Sequence, residues 1–236
     1  MLVPIALLFV LVMPALVAAQ ATPDAQTAEA VCGRIAGTPV GTPTTVDLSV
    51  GDLQALDLDL IFLDAMIPHV QASMDMATIA RDRSARPEVV EFASAIISGQ
   101  QPQVEAMVAW RAEWYPDVPE LSWLQLVDAM NMKLSESPGV GGVAGLEAMD
   151  PTHRTADLAS LCGSGDIDLA FIDALIAHNG SSIILAKATI DRSTHREVRE
   201  IGGSLATTQQ YEIDQLLAWR VAWFAGTPIP DDHSGD

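Results

Sequence analysis

Aromatic side chains make up only 5 % of this 236-residue chain, and lysine and cysteine each occur just twice. So few aromatics beside 49 % apolar residues, most of them Ala, Leu, Val and Ile, predict helices packed on helices rather than sheets. The basic side chains number 12 against 31 acidic ones, a formal charge of -19. Polyphosphates are repelled by that balance, so nucleic acid is excluded as a partner and cations remain compatible. Several motifs are also missing. No Glu-x-x-His occurs, which sets aside the di-iron carboxylate bundles. Neither His-Glu-x-x-His nor a Gly-rich loop ending in Lys-Ser or Lys-Thr is present, which removes the zinc hydrolases and the phosphate-cradling loops. No nucleophile, base and orienting partner can be assembled, so the chain is not expected to be an enzyme.

The first charged residue is Asp24, and Leu2 to Val17 is almost wholly aliphatic before Ala18-Ala19-Gln20-Ala21. This pattern predicts a signal peptide over residues 1–21, although no Lys or Arg precedes the apolar core. Secretion, or residence in the periplasm or cell envelope, follows, with no membrane span once the leader is removed. Residues 22–50 are rich in Thr, Pro, Gly and Ala and read as a flexible tether, and 227–236 as a flexible tail. In an exported protein the two cysteines, Cys32 and Cys162, are candidates for a disulfide. It would close a loop of about 130 residues and stabilise the fold by constraining the unfolded chain.

Shifted by 109 residues, the chain matches itself without a gap. Asp59-Leu60-x-Phe62-x-Asp64-Ala65-x-Ile67-x-His69 returns as Asp168-Leu169-x-Phe171-x-Asp173-Ala174-x-Ile176-x-His178. Gln100-Gln101 and Ala109-Trp110-Arg111-x-x-Trp114 return as Gln209-Gln210 and Ala218-Trp219-Arg220-x-x-Trp223. Apolar residues at helical spacing make each copy a pair of long helices. The short polar breaks Asp82-Arg83-Ser84 and Asp191-Arg192-Ser193 force each pair antiparallel. The expected architecture is all-α. It is a four-helix bundle over residues 51–226, with repeat one at 57–114, a connector at 115–165 holding a short helix near Leu121–Leu134, and repeat two at 166–223. Pro68 and Pro102 fall inside the helices of repeat one only.

Counting outward from each turn sets His69 level with Gln100 and Met66 near Gln103. In the second copy His178 falls beside Gln209, and Leu175 near Glu212. Each hairpin thus carries a polar layer at one height of an apolar seam, and buried polar groups need partners. A register-fixing hydrogen-bond network, a metal site and a catalytic site all remain open. For a metal, His69, His178 and Glu212 supply nitrogen and oxygen. Met66 and Met76 are candidate sulfur donors suited to Cu(I) or Ag(I). In the second copy these methionines become Leu175 and Leu185.

The run Asp59-x-x-Phe62, Met66-Ile67-Pro68-His69, Met76-Ala77, then Gln100 and Met107-x-x-Trp110, resembles the domain-of-unknown-function 305 family of exported bacterial proteins. That resemblance implies a ferritin-like four-helix bundle with duplicated hairpins and, for some members, copper or silver binding. Where the family carries two adjacent histidines, this chain has His69-Val70 and His178-Asn179. Where it carries Glu-Ile, the first copy has Gln103-Val104 and the second Glu212-Ile213. The expected function is binding or buffering of a soft metal ion through core His and Met. The alternative is a metal-free structural or interaction module of the cell envelope.

Overall fold

A computed structural model describes residues 26–37, 48–134 and 149–227. The leader expected over 1–21 and nearly all of the tail expected over 227–236 lie outside these residues. Among the described residues eight helices appear in chain order: α1 Ala28–Gly37, α2 Val50–Ala55, α3 Leu58–Arg83, α4 Pro87–Trp114, α5 Trp123–Leu134, α6 Pro151–Gly163, α7 Ile167–Ile190 and α8 Arg196–Phe224. The four long ones, α3, α4, α7 and α8, form the bundle as two antiparallel hairpins, with α3 packed against both α4 and α7.

Helix starts follow local chemistry. Asp57 caps α3 by accepting from the Asp59 amide, Asp166 caps α7 by accepting from Leu169, and Pro87 occupies the first turn of α4, where its missing N–H costs nothing. Pro68 and Pro102 are accommodated inside helices that continue through them. Among the described helices, α7 alone is long and apolar enough to cross a membrane. Here it is a core helix, and it buries His178, Asn179, Ser181 and Ser182 inside the bundle.

The expected tether over 22–50 needs correcting, because α1 and the start of α2 lie within it. A ten-residue helix is marginal alone. Tertiary contacts hold α1: Ala28 and Val31 are fully buried, the Ala28 amide donates to Asp82 at 2.8 Å, and Arg34 pairs with Asp75 at 2.8 Å. Cys32 is joined to Cys162 of α6 in a disulfide across a separation of 130 residues. The connector likewise holds more than its one expected helix, since α6 follows α5.

The two hairpins clasp each other reciprocally. Asp168 at the start of α7 accepts from Ser84 Oγ at 2.5 Å and Arg86 Nε at 2.9 Å in the turn of the first hairpin. Asp59 at the start of α3 accepts from Ser193, from Thr194, and from the amide and ring Nδ1 of His195, at 2.8 and 2.6 Å, in the turn of the second. Arg86 lies 4.3 Å over the Trp223 ring, and the His195 ring stacks on Trp114 at 3.8 Å. Each of these pairs is its counterpart shifted by 109, so two copies of one hairpin meet head to tail. A second matched pair, Arg111 with Asp64 at 2.5 Å and Arg220 with Asp173 at 2.6 Å, ties helix to helix within each copy.

Candidate functional site

Two apolar clusters fill the bundle. Met66, Val70, Met107 and Leu205 belong to one, and Met76, Ile79, Phe171 and Leu216 to the other. Between them α3, α4, α7 and α8 each contribute buried polar side chains: His69 and Ser73, Gln100, His178, Asn179 and Ser182, and Gln209 and Glu212.

At the centre the rings of His69 and His178 stack with centroids 3.6 Å apart and planes within 6°. His178 Nε2 lies 3.1 Å from the His69 carbonyl oxygen. A carbonyl only accepts, so Nε2 carries the proton and the Nδ1 lone pair is left free. Burial holds the His178 pKa down to about 3, with the His69 carbonyl opposing and Arg154 adding to the depression. Burial, then His178, then Arg154 depress His69 well below the ordinary value. Both rings are therefore neutral at physiological pH, and protons do not compete for their lone pairs.

The second copy's half of the layer is largely paired. Asn179 Nδ2 donates to Glu212 at 2.7 Å, and Ser182 Oγ donates to Gln209 Oε1. Burial pushes the Glu212 carboxyl up to about 7 despite that donor. The first copy's half is not paired. His69 Nδ1 and Nε2, Ser73 Oγ and both amide atoms of Gln100 have no hydrogen-bond partner. Gln103 is half-buried; its Nε2 reaches Ser204 at 3.4 Å while its Oε1 faces inward unpartnered. His178 Nδ1, Asn179 Oδ1 and Gln209 Nε2 complete the set. Among the described residues, every buried side-chain N or O without a partner belongs to this layer. Each unmet group costs about 1–3 kcal/mol, so the layer is not self-sufficient.

Two placements refine the sequence reading. Met66 lies one turn before His69 on the same face, but Met76 lies ten residues beyond Met66, a helical rise of about 15 Å. Met66 and Met76 therefore cannot hold one ion together, and they fall in different apolar clusters. Arg154 of α6 was not foreseen. It donates to the Met149 carbonyl and sends its positive field to both imidazoles. Only its return to the bundle through α6 brings it there, and no sequence spacing announces that. Asp57, Asp59 and His195 also converge, their ligand atoms within 4.8 Å of one another, but these are the cap and clasp groups already bonded to the backbone, Ser193, Thr194 and Tyr115.

Fold and site together define an all-α protein, two clasped helical hairpins closing over a buried histidine pair. The family profile described as "Domain of unknown function (DUF305)" matches residues 59–220, and the chain belongs to that family. Among solved structures, "CopM in the Cu(I)-bound form" is similar at 24 % identity and a TM-score of 0.54, the match covering 70 % of this chain and 97 % of that one. "CopM in the Ag-bound form (by co-crystallization)" is similar at 21 % identity and a TM-score of 0.53 over 70 % and 97 %. "CopM in the apo form" is similar at 22 % identity and 0.53 over 70 % and 98 %. These likenesses establish the fold. No match is found among curated proteins.

Proposed function

We propose that this chain is an exported, nonenzymatic bundle that binds one soft metal ion, Cu(I) or Ag(I), in the layer between His69 and His178. The observation carrying this reading is the set of unpartnered lone pairs on two neutral, fully buried imidazoles, with the Met66 thioether one helical turn away. Solved structures of similar fold hold Cu(I) and Ag, which supports the choice of ion. Imidazole lone pairs lie in the ring plane, so two parallel rings 3.6 Å apart do not chelate one ion as they stand. One ring turns on binding. His69, tied through neither nitrogen, is that ring, while His178 is fixed by the His69 carbonyl. Glu212 stays with Asn179 as a neighbouring carboxyl.

The stacked geometry also favours a second reading, a metal-free structural or interaction module whose histidines serve as flat packing groups. Anaerobic titration with Cu(I) against a chelator, and with Ag(I) by calorimetry, separates the two. One ion per chain is expected, with affinity lowered at least about tenfold in a His69→Ala, Met66→Leu double variant. Ion at a hundredfold excess over its dissociation constant raises unfolding free energy by about 2.7 kcal/mol. Equal affinity in wild type and variant, or melts that no ion moves, sinks the metal reading and leaves the structural module.

A further inference from the structure

A cleft of about 580 Å³ opens beside the histidine layer, walled by α3, α4, α5 and the first turns of α6. Its volume lies in the range that holds small molecules. Ile67, Val108, Leu121, Trp123 and Leu126 give it an apolar wall, and Val108 stands half in solvent at its mouth. Two arginines reach it, and their situations differ. Arg111 is satisfied: Asp64 pairs with it at 2.5 Å and the carbonyls of Tyr115, Val118 and Pro119 accept its remaining donors. Arg154 donates only to the Met149 carbonyl and forms no ion pair with any described residue. Asp150 acts on it from beyond ion-pair distance, and burial holds its pKa down to about 10. Glu120 is exposed at the rim. A largely desolvated guanidinium without a carboxylate, facing an apolar wall that includes an indole, is half of a recognition site.

We propose that this cleft binds a small carboxylate with an apolar or aromatic body, the carboxylate on Arg154 and the body against Trp123 and Leu126. Arg154 is a planar donor with free N–H groups matched to a carboxylate's two oxygens, and the cleft removes the pair from water. The apolar wall excludes small hydrophilic anions as preferred occupants. This inference does not rest on metal binding, and either can fail alone.

The test is calorimetry of the metal-free chain with 4-phenylbutyrate as the acid probe and 4-phenyl-1-butanol as its uncharged analogue. One saturable site for the acid is expected, with the alcohol and the Arg154→Gln variant at least about tenfold weaker, the loss of one charge-assisted hydrogen-bonded pair. Arg154→Lys, which keeps the charge but loses the two-pronged donor, falls between wild type and Arg154→Gln. Val108→Trp, which fills the mouth from an exposed position, abolishes binding while leaving the circular dichroism spectrum and melting temperature as in wild type. No saturable heat at millimolar acid overturns the proposal, as does equal binding of acid and alcohol, or equal acid binding by wild type and Arg154→Gln.

Discussion

Replacing Glu212 by Gln tests the electrostatics of the core directly. Glu212 is 4 % exposed, its partner is the uncharged Asn179, and burial raises its pKa from 4.5 to about 7. A carboxyl that holds its proton longer in the folded chain opposes folding wherever the unfolded chain has already ionised. The penalty is absent below about pH 4.5, grows as pH rises to about 7, and is complete above that. A gap of about 2.5 in pKa is about 3 kcal/mol. Gln has the same shape, can still accept from Asn179, and carries no charge. Glu212→Gln is therefore expected to be more stable than wild type by about 3 kcal/mol at pH 8 and indistinguishable from it near pH 4.5. The buried histidines act with the opposite sign. His178 at about 3 and the depressed His69 refuse protons that the unfolded chain takes up below about pH 6.5, so their stabilisation is present above that pH and lost as pH falls toward 3. Burial also raises Asp75 and Asp157, which share the sign of Glu212, so the quantity to read is the difference between variant and wild type. Urea unfolding of both proteins from pH 4.5 to 8 gives that difference. If it does not grow with pH, or if Gln destabilises at pH 8, the Glu212 carboxyl ionises as readily in the folded chain as in the unfolded one and the account of a low-dielectric layer is wrong.

Replacing Cys32 and Cys162 by Ser is expected to cost about 5 kcal/mol, set by the loop of 130 residues between them, and to release α1 first, which hydrogen exchange at the Val31 and Gly33 amides would register. The two clasps differ in burial: Asp59 is fully buried and accepts from three residues, whereas the Arg86–Asp168 pair has Arg86 side chain 42 % exposed. Asp59→Ala should therefore lose about 3 kcal/mol and Asp168→Ala about 1, and the reverse order in denaturant titrations would refute the assignment. Because the charge on Arg154 opposes any positive charge at the imidazoles, Arg154→Gln should tighten Ag(I) binding several-fold; weaker binding would mean that Arg154 organises the site instead.

The bundle was legible because its repeat recurs without a gap, so helices, turns and polar layer could be checked one copy against the other. His69 and His178 were placed by counting from each turn, and they meet in the core. The helices α1 and α6 were not visible. α1 is only ten residues long and α6 has only Leu158 and Leu161 as large apolar side chains, so neither shows a period, and contacts with α3 and α7, together with the Cys32–Cys162 bond, hold them. The clasps escaped for another reason. Asp59 stood out only as a member of the repeat and of the family-like motif, yet its partners lie about 135 residues along the chain, and no spacing rule reaches that far. Met76 shows the limit of a face-only argument: a shared stripe sets direction, while the rise along the axis decides whether two sulfurs can meet.

Duplication makes the scaffold symmetric, but the chemistry of the layer is not. In the second copy each polar group is tied to a neighbour: His178 to the His69 carbonyl, Ser182 to Gln209, Asn179 to Glu212. In the first, Val70 stands in place of Asn179, so no side chain reaches across from α3 to engage Gln103, and the counterparts Ser73 and Gln100 remain unbonded. Six of the nine unpartnered atoms belong to the first copy. Met66 and Met107 also belong to it, where the second copy has Leu175 and Leu216. Donors that are tied cannot reorient toward a ligand without losing a bond, whereas donors that are free lose nothing. The second hairpin is thus the rigid wall of the layer, and the first supplies the groups able to turn toward whatever enters. A ligand that engaged the second copy alone would find only His178 Nδ1, Asn179 Oδ1 and Gln209 Nε2 open to it, on side chains that the Asn179–Glu212 and Ser182–Gln209 bonds hold in place, so an occupant that needs groups to turn toward it draws them chiefly from α3 and α4.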